Sequence, residues 1–166
     1  MTVYLDMDGV LADFFGKVQE IYHVEHWKEL NMDVVFAKIR NTNFFYKLDE
    51  FPTAHKLVRE VEDMTSGDWG ICSSPLRDDH FNSAYWKRRW LEERDFIPRD
   101  WRHLIFAPNK EKHARVSLTG EPNILVDDKY SNVDKFTNAG GIGIRYQANE
   151  DSLEYVLERI EASLRS

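Results

Sequence analysis

Val3-Tyr4-Leu5-Asp6-Met7-Asp8-Gly9-Val10-Leu11-Ala12-Asp13 joins two signals near the start of a 166-residue chain. Val3–Leu5 is a short apolar, partly β-branched run of the kind that makes a buried strand. It stops at two aspartates and a glycine, an expensive group of residues to place beside a core. The same arrangement recurs outward along the chain. Trp69–Ser73 follows the turn residues Ser66-Gly67-Asp68 and runs into Ser74-Pro75. Leu104–Phe106 is followed by Asn109-Lys110, and Ile124–Val126 by Asp127-Asp128-Lys129, while Ile142–Ile144 completes five apolar runs bounded by Gly, Pro, Asp or Asn.

Helical periodicity lies between these runs. Ala54, Leu57, Val58 and Val61 follow Pro52-Thr53, and Phe81, Tyr85, Trp86, Trp90 and Leu91 trace a stripe beyond Ser74-Pro75. Val133 and Phe136 form a short pattern stopped at Gly140-Gly141, and Leu153, Val156, Leu157, Ile160 and Leu164 form the clearest one. Alternating strands and helices predict an α/β fold: a parallel sheet covered on both faces, hence three layers. The stretch from Phe15 to Tyr46 interrupts the alternation. It opens on an amphipathic pattern (Phe15, Val18, Ile21, Tyr22) and is read as a small helical cap. The expected organisation is a core of residues 1–14 and 47–166 with a cap insertion at 15–46. Repeats, low-complexity tracts and flexible linkers are absent from the sequence.

Composition narrows the class. Hydrophobic residues at 42% and charged residues at 31% match a soluble globular domain. A net charge of −7 disfavours a stable complex with nucleic acid, whose phosphates such a surface repels. Cations concentrated at Lys87–Arg89 and Lys110–Lys112 can still hold a small anion. A single cysteine, Cys72, excludes an intramolecular disulfide and suits a reducing compartment. No run approaches the 18 apolar residues of a membrane span, and the first residues lack a signal-peptide pattern. A cytoplasmic, soluble protein is expected, with no membrane partner.

In an open parallel sheet, ligands bind outside the carboxyl ends of the strands, and here those ends carry the chemistry. Four strand ends bring together Asp6 and Asp8, Ser73 and Ser74, Lys110, and Asp127 and Asp128. Clustered acids need a cation or a proton, and an all-oxygen set suits Mg²⁺. Gly9 lets the chain turn sharply beside the metal, so that a main-chain carbonyl can also ligate. Phosphoryl transfer uses every member of the set. The metal and Lys110 offset the charge of a phosphate, and Ser73 and Ser74 donate to its oxygens. Asp6 serves as the nucleophile and Asp8 as the general acid and base. Lys112 competes with Lys110, since both follow the same strand, and the two serines alternatively cap a turn shaped by Pro75. Asp127 and Asp128 alternatively form a helix N-cap.

Asp6-Met7-Asp8-Gly9-Val10-Leu11-Ala12-Asp13 resembles the first motif of the haloacid dehalogenase (HAD) superfamily of phosphotransferases. Ile71-Cys72-Ser73-Ser74-Pro75 resembles its second motif, Lys110 its third, and Leu125-Val126-Asp127-Asp128-Lys129 its fourth. Within that superfamily DMDGVLADF, ICSSPL and VDDK look most like the 5′(3′)-deoxyribonucleotidases. Lys87, Arg89-Trp90 and Asn43-Phe44-Phe45 add to the likeness. The resemblance implies a Rossmann-like core with a helical cap after the first motif. It implies Mg²⁺ held by the Asp6 side chain, the Asp8 carbonyl and Asp127, with Asp128 supporting a ligand water. It also implies Lys87 as a further cation at the phosphate, and Phe14 and Phe45 packed on base and sugar. The activity implied is hydrolysis of (deoxy)nucleoside monophosphates. Ser73 stands where that family commonly has threonine, which keeps the hydroxyl, and the cap is shorter than in eukaryotic members.

Four other readings are set against this one. A sugar phosphate or another small phosphomonoester fits the same acids, as does a phosphorylated polynucleotide end. A cysteine phosphatase needs five residues between Cys and Arg, whereas four separate Cys72 from Arg77. His23 and His26 lack the acidic partners of a zinc motif. Base preference is left open, and so is a homodimer.

Overall fold

Strands and helices alternate along the computed structural model, which describes residues 1–166. The strands are β1 (Val3–Leu5), β2 (Trp69–Ser73), β3 (Leu104–Phe106), β4 (Ile124–Asp127) and β5 (Ile142–Arg145). They form one sheet in the order β3-β2-β1-β4-β5, and every neighbouring pair is parallel. All five apolar runs are therefore strands, with β4 and β5 each reaching one residue further than expected. Parallel pairing follows from the crossovers: α-helices carry the chain back before β2, β3 and β5, and a segment with the Lys110–His113 turn does so before β4. The helices are α1 (Phe14–Tyr22), α2 (Met32–Ile39), α3 (Ala54–Thr65), α4 (His80–Glu93), α5 (Tyr130–Asn138) and α6 (Leu153–Arg165). Single 3-10 turns lie at Trp27–Glu29, Phe44–Lys47, Trp101–His103 and Lys110–His113.

The two faces of the sheet can be followed through β1. Val3 and Leu5 enter the larger apolar cluster, with Leu57 and Val61 of α3 and Val156 and Ile160 of α6. Tyr4, between them, points the other way, toward Cys72, Leu125 and Phe136 of α5. This period of two is that of an extended strand buried on both faces. Each fully buried Leu, Ile or Val contributes about 1.5–3 kcal/mol. α3 ends where Ser66 takes a left-handed conformation (φ 52°) and returns its N–H to the last carbonyls. α6 starts at Ser152, whose hydroxyl accepts the Tyr155 N–H at 3.2 Å.

The stripe expected on α4 is corrected. Phe81 is 89% exposed and Tyr85 51%, whereas Ser83, Lys87, Trp90 and Leu91 are buried. Apolar character misplaced the inward face because two of its members are polar. Ser83 accepts the Leu76 N–H at 2.9 Å, and Lys87 is buried by ion pairing.

Residues 15–46 hold most of α1, the Trp27–Glu29 turn, α2 and the approach to Phe44–Lys47. Asp13 caps α1, accepting the Gly16 N–H at 2.9 Å. Val18, Val35, Ile39 and Phe45 join the same apolar cluster as Val3 and Leu5, so this segment shares the core of the sheet.

Candidate active site

β1 lies between β2 and β4, so the chain leaves the sheet's centre in opposite directions and the loops following these strands face one another. This is the switch point at which open α/β sheets bind ligands. Asp6 still belongs to the ladder, its N–H donating to the Val126 carbonyl at 2.9 Å. Beyond it the chain turns tightly: the N–H groups of Leu11 and Ala12 both reach the Met7 carbonyl at 2.9 Å. Gly9 has φ +82°, a region that favours glycine, and a Cβ there would lie 2.2 Å from Oδ2 of Asp128. The glycine therefore permits both the turn and the close approach of the Asp128 carboxylate.

Two buried ammoniums organise the acids. Lys110 Nζ stands 2.9 Å from Oδ1 of Asp6 and 2.6 Å from Oδ2 of Asp127. Lys87 Nζ donates to Oδ2 of Asp8 at 2.9 Å, to Oγ of Ser73 at 2.9 Å and to the Ser74 carbonyl at 2.8 Å. Lys87 and Lys110 are only 1% and 2% exposed. Of the two lysines in competition, Lys110 enters the site and Lys112 is exposed. Asp127 has two further donors, the Lys129 N–H at 2.8 Å and the Asn132 side-chain amide at 3.1 Å. Oδ1 of Asp8 is buried with no hydrogen-bond partner.

The acids outnumber the cations. Asp6, Asp127 and Asp128 bring carboxylate oxygens within 4.8 Å of one another, and the side chain of Asp8 is turned away to Lys87. Burial first, and then the Asp127 charge, pushes the Asp6 carboxyl up to about 7, against the pull of Lys110. Burial, followed by Asp6 and Asp127, pushes Asp128 up to about 8. Burial disfavours the Lys110 ammonium, but Asp6 and Asp127 outweigh it and hold that lysine well above its ordinary value. Four carboxylates facing two ammoniums leave an excess of two negative charges, the amount a divalent cation brings. Oxygen donors, their spacing and this charge all suit Mg²⁺.

The other predicted residues are placed as follows. Ser73 is fully buried with its hydroxyl on Lys87, and Ser74 is half-buried, touching Lys87 through its carbonyl. Phe14 and Phe45 are buried and stacked, with ring centres 6.0 Å apart, and Lys87 Nζ lies 4.7 Å from the Phe45 ring centre. Cys72 is buried on the opposite face of the sheet, where burial pushes its thiol up to about 12. His26 instead caps the Trp27–Glu29 turn. Sequence reasoning missed Asn132, whose one signal is its place one turn into the helix after Asp127-Asp128. It also missed Asp79, a buried carboxylate that accepts the Asn41 N–H at 3.1 Å and the Asn82 amide at 3.0 Å and so ties α4 to the end of α2.

Five parallel strands with helices on both faces make a Rossmann-like α/β fold, with the acids at its switch point. A HAD family hydrolase from Deinococcus radiodurans R1, solved with bound phosphate and sodium, aligns over 99% of this chain and 93% of its own, with TM-score 0.53 and 14% identity. A hydrolase from Pseudomonas syringae aligns over 95% and 89%, with TM-score 0.52 and 14% identity. These neighbours share the fold. In sequence, the chain is 24% identical to the human mitochondrial 5′(3′)-deoxyribonucleotidase over 78% of its own length and 62% of that protein's. It is 29% identical to the human cytosolic type over 78% and 71%. The chain thus spans less than two thirds of the mitochondrial relative. No family model matches it. Fold and sequence likeness together support a HAD superfamily phosphatase. No helix is long and apolar enough to cross a membrane.

Proposed function

We propose that the chain is a Mg²⁺-dependent phosphomonoesterase that hydrolyses (deoxy)nucleoside monophosphates to nucleoside and phosphate. The observation that carries this reading is the pair of adjoining buried ion-pair chains, Asp6–Lys110–Asp127 and Asp8–Lys87–Ser73, at one end of the sheet. Asp6, Asp127 and Asp128, with the Asp8 carbonyl, would hold the metal. When bound, it neutralises the crowded carboxylates and draws charge from the phosphate oxygens.

Asp6 attacks phosphorus in line. The bond from phosphorus to the leaving sugar oxygen breaks, and an aspartyl-phosphate forms. Asp8, protonated, gives its proton to the departing alkoxide. Its Oδ2 rests on Lys87 and its Oδ1 has no partner, so one oxygen is anchored while the other is free to exchange a proton. Asp8 then takes a proton from water, the resulting hydroxide attacks phosphorus, and Asp6 is released together with inorganic phosphate. Lys110 and Lys87 hold positive charge beside the transferring group throughout, and Ser73 supplies a hydroxyl on the same side.

A second reading keeps the chemistry and changes the substrate. Phe14 and Phe45 are 5% and 4% exposed and packed against each other, which favours a phosphomonoester without a base, such as a sugar phosphate. Phosphate release is measured on 5′- and 3′-thymidylate, uridylate, hexose phosphates and a 5′-phosphorylated oligonucleotide, with Mg²⁺ and with EDTA. The nucleotidase reading expects the highest kcat/KM on a mononucleotide and loss of turnover in EDTA. Faster turnover of hexose phosphate or of the oligonucleotide rejects it, and full activity in EDTA rejects the metal.

A further inference from the structure

Ser83 stands where alanine would make the better helix. It lies inside α4 and is completely buried, and a buried hydroxyl is costly unless it is hydrogen-bonded. Here it is bonded in both directions. Its Oγ donates to the Asp79 carbonyl at 2.7 Å and accepts the Leu76 N–H at 2.9 Å. The first bond, one turn back, is common for a serine in a helix. The second leaves the helix and reaches the segment that follows β2.

That segment carries Ser73 and Ser74. Ser73 ends β2, Ser74 and Pro75 follow, and Leu76 is held on both sides, its N–H by Ser83 and its carbonyl by the Asp79 N–H at 3.1 Å. Ser83 and Lys87 are four residues apart, hence on one face of α4 and about 6 Å apart along its axis. Lys87 grips the near end of the segment, through the Ser73 hydroxyl and the Ser74 carbonyl, and Ser83 grips the far end. An ammonium has three protons, and those of Lys87 are all committed, to Asp8, Ser73 and Ser74. Lys87 can therefore take a phosphate oxygen only by releasing one of these partners, and two of the three belong to the segment. Ser83 faces no such exchange, because its hydroxyl is neutral and its partners are main-chain groups.

We propose that Ser83 is a positioning residue of the phosphate site. By holding Leu76, it keeps Ser73 and Ser74 in register with Lys87 while that lysine changes partners. The Ser74 N–H and hydroxyl take no partner within the chain and so stay available to the phosphate. The role rests on the phosphomonoesterase reading proposed above, since it requires a phosphate beside Lys87.

Ser83→Ala removes one oxygen and keeps the helix. Mg²⁺-loaded protein is titrated with inorganic phosphate by calorimetry, and kcat and KM are measured on the substrate that the wild type turns over fastest. Ser83→Ala should raise the phosphate Kd and lower kcat/KM by about 10-fold each, because a buried N–H loses its acceptor. Val61→Ala, a buried change on α3, controls for stability alone. It should lower Tm and leave the phosphate Kd unchanged. Amide hydrogen exchange in the wild type adds a measurement that needs no variant. The Leu76 amide should exchange at least about 10-fold more slowly than that of exposed Arg77, whose N–H has no partner, before and after phosphate saturates the site. The role is overturned if Ser83→Ala binds phosphate as the wild type does, if Val61→Ala weakens phosphate equally, or if Leu76 and Arg77 exchange alike. A wild type that neither binds nor releases phosphate overturns the phosphomonoesterase reading itself, whatever Leu76 does, and the role falls with it.

Discussion

Asp8 and Asp6 differ at the level of single atoms, and the difference fits the work proposed for each. One oxygen of Asp8 rests on Lys87 and the other has no partner, whereas Oδ1 of Asp6 takes both Lys110 and the Met7 N–H. Asp8→Asn keeps the shape and removes the exchangeable proton, so turnover should fall by about 10²–10⁴-fold with the fold intact. Asp6→Asn should abolish it, and a wild-type rate of phosphate release in either variant refutes that residue's role. Lys110 acts on stability as well. Lys110→Met strips a buried pair of carboxylates of their cation, which should cost about 3–5 kcal/mol in urea unfolding. Cys72, on β2, is buried in the smaller apolar cluster, on the face of the sheet away from Val3 and Leu5. With the thiol pushed up to about 12, the nucleophilic thiolate is scarce at pH 8. A thiol reagent should label the native protein far more slowly than the urea-unfolded chain; equal rates would show that the thiol is accessible.

At the scale of elements, α4 separates what the sequence states from what it conceals. Its apolar residues suggested a stripe through Phe81 and Tyr85, yet the helix turns Ser83, Lys87, Trp90 and Leu91 inward. Trp90 is fully buried and donates its indole N–H to the Leu48 carbonyl at 2.7 Å. Trp90→Ala should therefore destabilise by about 3–5 kcal/mol, while Phe81→Ser should stay within about 0.5 kcal/mol. Matching losses in thermal unfolding would restore the sequence-derived stripe. The reason for the error is physical. Periodicity counts side chains by polarity, and a lysine neutralised by Asp8 behaves as an inward residue that no apolar count detects. Asn132 and Asp79 escaped for a related reason: Asn132 acts through one hydrogen bond to Asp127, and Asp79 through two, to Asn41 far away in sequence and to Asn82 one turn distant. β1, β2 and β4 were legible because each is buried on both faces and so carries an uninterrupted apolar run, and the partly buried edge strands β3 and β5 because turn residues bound their short apolar runs.

Across the whole molecule, the parallel sheet converts a sequence habit, polar residues after every apolar run, into one crowded corner. That convergence was readable from the polar residues that end the apolar runs of a parallel sheet. Which carboxylates face one another was not, since Asp8 and Asp128 depend on the turn at Gly9. Folding brings four acids to two lysines, and a fold that must hold excess negative charge is stabilised by whatever neutralises it. On the proposed function, Mg²⁺ would bind the assembled cluster and not the unfolded chain, in which the two acid pairs are more than 100 residues apart. At about 100 times its Kd it should add about 2.7 kcal/mol. For a chain of this size that amounts to roughly 5–11 °C in Tm, reversed by EDTA and needing no substrate. Asp127→Asn should rise in basal Tm less than the metal supplies and lose most of the Mg²⁺ response. An equal Mg²⁺ response in wild type and Asp127→Asn would place the ion elsewhere and leave the corner neutralised by protons alone.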